Sequence, residues 1–307
     1  MRDILIIGGG LAGLTAGMYT KRAGLDALLF ERMFTGGQAS TTNLIENYPG
    51  FDDPISGPDF AMKIENHARK FGLEIQYDEV IGMELDGKIK KVKTQSKEYE
   101  AKAVILAMGA EPKKLGLDKE DEFRGRGVSY CATCDGAFFK DRDVVVVGGG
   151  DTSAEDAMFL AQYANKVYLV HRRDTLRATK ILADRVIASK KVEKVWNSVV
   201  EAILGEDHVT GVRIVNVKTG DKREIKADGL FIAIGVRPNS ELIKGKINMT
   251  EAGYVLTNDA METNVPGVFA AGDIRQKPLL QLVTAAADGA IAAYSAQKYI
   301  IESFGDE

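Results

Sequence analysis

The chain has 307 residues, 45% hydrophobic and 27% charged, with a formal net charge of −4. That length exceeds one compact domain, so two are expected, and the slight acidity offers no general attraction to nucleic acid or anionic membrane. No apolar run approaches the roughly 20 residues that span a bilayer, and the run Ile4–Ile7 behind Met1-Arg2-Asp3 is too short for a signal-peptide core, so the expected location is the cytoplasm.

Residues 3–32 read DILIIGGGLAGLTAGMYTKRAGLDALLFER. Four apolar residues after an Asp predict a short buried strand. A glycine turn follows, with Gly8, Gly10 and Gly13 at the spacing of a dinucleotide fingerprint. In that pattern the first Gly permits a tight turn. The second lets backbone approach a pyrophosphate, and the third lets the helix pack on the strand. Leu14, Met18 and Tyr19 mark the predicted helical face, and Ala27–Phe30 a second strand. Glu31 closes the unit, where an acidic side chain can accept hydrogen bonds from both hydroxyls of an unphosphorylated ribose. The unit fits FAD.

Between residues 80 and 100, short alternating segments such as Lys88–Thr94 predict a small antiparallel sheet. The run Val104–Ala110 ends in Gly109 and is soon followed by Pro112. It is echoed by Leu230–Val236, with Gly235 and Pro238. These are the expected points where the chain leaves one domain for the other and returns. They predict a first domain of residues 1–113 and 242–307, interrupted by an inserted domain of residues 114–241.

The two cysteines of the chain, Cys131 and Cys134, lie three apart. A structural zinc site generally needs four Cys or His ligands, and His67, His171 and His208 are scattered. A redox pair is therefore preferred to a metal site, and no metal is expected. Asp135 follows at once. A carboxyl group there could move the proton that thiol exchange requires; an acid at a helix start is also favoured by the helix dipole.

Residues 143–172, DVVVVGGGDTSAEDAMFLAQYANKVYLVHR, repeat the first unit without a gap at an offset of 140. Gly148 and Gly150 hold the glycine positions, with the small Ser153 in third place. Asp151 and Thr152 lie between them at the predicted helix start, Ala157, Leu160 and Ala161 mark the helical face, and Val167–Val170 the second strand. The residue aligned with Glu31 is His171, followed by Arg172, Arg173 and Arg177. A carboxylate has given way to a basic cluster, and guanidinium groups bind phosphate bidentately. The cluster suits the 2′-phosphate of NADP(H); a solvated helix start is the plainer reading. Residues 196–226 repeat the antiparallel pattern. Near the C-terminus Val268–Ala271 predicts a strand ending in Gly272-Asp273, before a helix from about Leu279 to Ile301. Asp273 sits where a strand end would offer a carboxylate to a ligand hydroxyl, such as one on a flavin ribityl chain, although Gly-Asp is also a common turn. The fold class expected is α/β, with two nucleotide-binding Rossmann-like domains, the second inserted into the first.

Taken together, the chain resembles the low-molecular-weight thioredoxin reductases of bacteria and archaea over essentially its whole length. The matching segments are Cys131-Ala132-Thr133-Cys134-Asp135-Gly136, Gly36-Gly37-Gln38, Glu46-Asn47-Tyr48-Pro49-Gly50, His171-Arg172-Arg173 with Arg177, and Ala270-Ala271-Gly272-Asp273. Met108 stands where the family often has Thr, and Leu280, before Gln281, where it often has Arg. The resemblance implies a homodimer that passes electrons from NADPH through FAD and the Cys131–Cys134 disulfide to oxidised thioredoxin or a thioredoxin-like protein. Nucleic acid and membrane are not expected partners. It implies cofactor contacts at Gly37, Gln38, Asn47 and Gln281 beside the glycines, and at Asp151 and Thr152 in the second turn. It also implies that Cys134 neighbours the flavin, that Cys131 attacks the partner, and that the inserted domain rotates about hinges near Lys113 and Ser240.

Overall fold

The computed structural model describes residues 1–42 and 44–305. The chain divides into two compact units. One comprises Met1–Glu111 and the segment from Arg237 onward, and the other Pro112–Val236.

The first unit begins with β1 (Arg2–Ile7), α1 (Leu11–Arg22) and β2 (Ala27–Glu31). After α2 (Gly57–Lys70) come β3 (Glu74–Tyr77), β4 (Val80–Glu84), β5 (Lys90–Thr94) and β6 (Glu98–Leu106). The second unit contains β7 (Val128–Ser129), α3 (Ala132–Asp135), β8 (Asp143–Gly148), α4 (Asp151–Tyr163), β9 (Lys166–Val170), α5 (Lys180–Ala188) and β10 (Val192–Val195). It is completed by β11 (Ser198–Leu204), β12 (Gly211–Asn216), β13 (Lys222–Lys226) and β14 (Gly229–Ala233). The chain then returns to the first unit with β15 (Val268–Ala270) and α6 (Leu282–Phe304).

In the first unit β3, β2, β1 and β6 lie side by side in that order and parallel, β15 adds in parallel to β6, and β5 and β4 continue the sheet antiparallel. Successive side chains of a strand point to opposite faces. Ile4 and Ile6 therefore face Leu14 of α1 and Ala292, Ala293 and Ala296 of α6. Leu5 and Ile7 face Val80, Met83, Val92 and the returning Ile243, Ile247 and Val255. Both faces are covered, which is why the strands read as unbroken apolar runs.

The second unit repeats the plan. β7, β14, β8, β9 and β10 form a parallel sheet in that order. Val144 and Val146 face Ala154, Ala157 and Leu160 of α4. Val145 and Val147 face Val200, Ile203, Val212 and Ile225 of the antiparallel sheet β11-β12-β13. The expected α/β fold is present. Among the described residues no helix is long and apolar enough to cross a membrane.

Two expectations shift. Tyr19 was expected on the apolar face of α1 but is 44% exposed. The buried residues of α1 are Leu11, Ala12, Gly13, Leu14, Thr15, Ala16, Gly17 and Thr20, and a Cβ on Gly289 of α6 would lie 2.2 Å from Ala12 O. The two helices meet through small residues, so a search for large apolar ones misreads the face. The last helix starts at Leu282 rather than near Leu279. Gln281 and Thr284 form a reciprocal capping box there, and Pro278 precedes it.

Candidate functional site

In the first unit the turn between β1 and α1 is held by contact that only glycine permits. Gly8 has φ +106°, and a Cβ on it would lie 2.4 Å from Ala107 O; one on Gly13 would lie 1.9 Å from Gly8 O. Gly10 caps α1 without a side-chain hydrogen bond, and its nearest neighbour in the Cβ direction is Gly37 Cα at 4.0 Å. Bare backbone from two segments thus meets at a helix N-terminus, whose unpaired N–H groups and dipole favour phosphate.

Glu31 ends β2. Its Oε2 accepts the Gly9 N–H at 2.8 Å and its Oε1 the Met33 N–H at 3.1 Å. A carboxylate has about four lone-pair sites, so this fixes the group and leaves acceptor capacity. The Gly272-Asp273 turn packs on the start of α1, where a Cβ on Gly272 would lie 2.8 Å from Ala12 Cβ. Behind it lies a buried charge network. Asp288 accepts from Gly272 N at 3.0 Å, Arg275 Nη1 at 3.2 Å and Lys277 Nζ at 3.1 Å. Lys277 Nζ is also 3.3 Å from Asp273 Oδ1, but not in hydrogen-bonding alignment, and Asp273 Oδ1 is buried with no hydrogen-bond partner. Burial raises the Asp273 pKa, which Lys277 opposes. A buried acceptor of this kind needs a donor, and a hydroxyl on the linker of a bound dinucleotide would supply it. The residues fit FAD. Asn47 Nδ2 donates to Gln281 Oε1 at 3.1 Å, so these two expected contacts are brought together. Gln38 Nε2 donates to Ala110 O at 3.3 Å.

In the second unit a Cβ on Gly148 would lie 2.5 Å from both Ala233 O and Ser153 Cβ, the counterpart of the Gly8 and Gly13 contacts. Ser153 is fully buried and donates to Gly150 O at 2.8 Å. Gly150 caps α4, with open space in its Cβ direction. Asp151 and Thr152 are exposed in the first turn, and Asp151 Oδ1 accepts the Thr179 N–H at 2.6 Å. Arg172, Arg173 and Arg177 are exposed, and none of the three is in a salt bridge among the described residues. Free guanidinium groups at the end of β9, beside a phosphate-binding turn, fit the 2′-phosphate of NADPH. His171 behaves otherwise. It is 5% exposed, lies against Gly149, and has a buried Nε2 with no hydrogen-bond partner. Burial lowers its pKa and favours the neutral ring. It packs against the glycine turn, with the Arg177 and Arg173 charges near enough to add to the lowering.

Cys131 and Cys134 form a disulfide, with Cys131 as the residue before α3. Both cysteines are half-buried. Asp135 Oδ2 accepts from Ser129 Oγ at 2.6 Å, and burial raises its pKa, opposed by that hydrogen bond and by Arg124. A family model described as pyridine nucleotide-disulphide oxidoreductase matches residues 2–290.

The chain belongs to that family. Thioredoxin reductase of Bacillus subtilis is 51% identical over 302 residues, spanning 98% of this chain and 95% of its own. The crystal structure of thioredoxin reductase from Streptococcus pyogenes is 48% identical with a TM-score of 0.94, covering 99% of each chain. Thioredoxin reductase from Giardia duodenalis is 37% identical with a TM-score of 0.92, over 97% of this chain and 98% of that one. The resemblance to thioredoxin reductases therefore holds across the pyridine nucleotide-disulphide oxidoreductase chain as a whole.

Sequence reasoning missed four contributors. Gly9 and Gly149, the middle glycines, lie against Glu31, which ends β2, and His171, which follows β9. The signal was present, since each turn has three consecutive glycines where the fingerprint needs two. Lys277 and Asp288 carried no motif, and only folding brings them behind Asp273.

Proposed function

We propose that this chain is an NADPH-dependent thioredoxin-disulfide reductase. In this reading FAD occupies the first unit, NADPH the second, and Cys131 and Cys134 deliver electrons to oxidised thioredoxin or a thioredoxin-like protein. One observation carries it: a disulfide at the start of α3, with a carboxyl group beside it, in the unit that holds a phosphate turn and three guanidinium groups that are in no salt bridge among the described residues. Bound FAD and NADPH supply the two-electron reduction that opens the disulfide.

The protein's own groups do the rest. Gly8, Gly10, Gly13 and Gly37 leave backbone bare for the FAD pyrophosphate. Glu31 accepts from its ribose, and Asp273 from its linker. Gln38, Asn47 and Gln281 contact the remainder of the cofactor. Gly148, Gly150, Asp151, Thr152 and Ser153 form the NADPH pyrophosphate turn. Arg172, Arg173 and Arg177 take the 2′-phosphate, and His171 packs against the turn.

In the exchange step the Cys131 thiolate attacks the partner's disulfide. A mixed disulfide forms, and the expelled partner sulfur takes a proton from the Asp135 carboxyl, whose raised pKa suits an acid. Cys134 then gives its proton to the Asp135 carboxylate and attacks Cys131 Sγ; the intramolecular disulfide re-forms, and the second partner sulfur leaves with that proton. Two electrons and two protons pass to the partner.

The same reading makes the enzyme a cytoplasmic homodimer. The outer stripe of α6, with Ile291, Tyr294 and Ile301 exposed, supplies an apolar face for a second copy. An anaerobic assay of the yellow protein tests the function. NADPH should be oxidised faster with thioredoxin than with a glutaredoxin-like protein or small disulfides. Turnover with small disulfides alone would replace thioredoxin as the substrate.

A further inference from the structure

Ser129 ends β7, pairs with Phe231 of β14, and is 4% exposed. Its hydroxyl has one proton and three neighbours: Asp135 Oδ2 at 2.6 Å, Cys131 O at 3.3 Å and Cys131 N at 3.1 Å. The backbone N–H can only donate, so Ser129 Oγ accepts from Cys131. The single hydroxyl proton goes to the nearer acceptor, the carboxylate, where a charge-assisted bond is stronger. A directed chain results, from Cys131 N–H to Ser129 O–H to Asp135. Among the described residues Ser129 is the side chain that hydrogen-bonds the Asp135 carboxyl.

We infer that Ser129 is a positioning residue for disulfide exchange, its hydroxyl tying the Asp135 carboxyl to the backbone of the attacking cysteine. The inference rests on the reading of Asp135 as proton carrier and adds what holds that carrier in place. A carboxyl on a flexible stem could turn away from the sulfur pair. Here it is tethered to the residue whose sulfur does the attacking, so the acid and the nucleophile stay in register.

The tether also restrains the acid electrically. Burial pushes the Asp135 pKa up, and the Ser129 hydrogen bond and the Arg124 charge pull it back. The other ionisable groups nearby are Tyr130, whose hydroxyl donates to Glu120 at 2.7 Å beneath the Arg124 guanidinium, and Glu155 and Asp156 on α4, which packs against α3. None of these four is among the causes of the Asp135 shift. Removing the Ser129 hydroxyl therefore leaves burial opposed by Arg124 alone, and the carboxyl keeps its proton to higher pH.

The test uses the full-length, FAD-loaded enzyme and its Ser129→Ala, Ser129→Thr and Asp135→Asn variants. Two quantities are read across pH: turnover with saturating thioredoxin, and bleaching of the flavin by NADPH without thioredoxin. Ser129→Ala should bleach as the parent does. Its alkaline limb of turnover should move up by about one to two pH units, the size set by a hydrogen bond to a charged group. Ser129→Thr, which keeps a hydroxyl, should restore the limb. Asp135→Asn should lack it. A Ser129→Ala limb at the parent's pH, with the limb absent in Asp135→Asn, overturns the role of Ser129. A limb that survives in Asp135→Asn overturns the proton-carrier reading instead. If Ser129→Ala fails to take up FAD, Ser129→Gly removes the same hydroxyl and is read in the same way.

Discussion

The imidazole of His171 lies so close to Gly149 that a Cβ there would fall 2.0 Å from ring Cε1. Gly149→Ala should therefore push the ring off its rotamer and cost about 1–3 kcal/mol, as overpacking does. Gly150→Ala meets nothing within 4 Å. It should leave the melting temperature unchanged but raise KM for NADPH, because the methyl occupies the pyrophosphate's approach. Thermal melts and steady-state kinetics on the two variants separate these effects. An unchanged KM in Gly150→Ala would mean the pyrophosphate does not approach there.

Arg172 and Arg173 are exposed, with no salt bridge to compete for them among the described residues. Changing both to Ala should weaken NADPH far more than NADH. Each lost contact should cost on the order of 1.5–3 kcal/mol, as for hydrogen bonds to charged groups. Equal losses with the two cofactors would show that these side chains do not read the 2′-phosphate.

Cys131→Ser and Cys134→Ser should each abolish thioredoxin turnover while NADPH still bleaches the flavin. Cys134→Ser keeps the attacking thiol and should trap a mixed disulfide with oxidised thioredoxin, visible by non-reducing electrophoresis. Trapping should fall at low pH, since the thiolate attacks. Trapping in Cys131→Ser alone would reverse the two roles.

Much of the fold was legible because two signals coincide, the alternation of buried runs such as Ile4–Ile7 and Val144–Val147 and the 140-residue repeat that frames them. Glycine spacing located both turns, because steric contact with Ala107 O and Ala233 O leaves no alternative residue. Less was legible where function depends on residues far apart in the chain. Asp288 meets Gly272 across a turn and a helical segment, and Lys277 sits between two carboxylates; neither spacing is a motif. The alignment of His171 with Glu31 was visible, but not that one side chain accepts the Gly9 N–H while the other packs over Gly149.

Asp156 on α4 has its pKa pushed up to about 7 by burial, with Glu155 adding to the effect. In the folded state it binds a proton more readily than the unfolded chain, whose reference value is 3.8. Stability from this group is therefore greatest below 3.8 and is lost as pH rises through about 7. Asp156→Asn should remove that dependence. Its melting temperature should exceed the parent's at pH 8, by the equivalent of up to a few kcal/mol, and the gap should close toward pH 4. A gap independent of pH would assign the effect to packing.

If α6 forms the dimer face, Ile291→Lys with Tyr294→Lys should yield a monomer by sedimentation equilibrium. Both side chains are exposed in the single chain, so the monomer should stay folded and keep its FAD. A double variant that sediments as the parent does would place the interface elsewhere.

The insertion of one unit within the other has a consequence for synthesis on the ribosome. The second unit is continuous and can close as soon as it emerges. The first cannot: its β1–β6 framework awaits β15, and the faces of Ile4, Leu14 and Ile105 await Ala292, Ala296 and Ile300 of α6. At about 5–20 residues per second the nascent N-terminal segment waits on the order of ten seconds or more with these faces uncovered. During that interval it is the part of the chain most in need of a chaperone, although the finished protein buries those residues completely or nearly so.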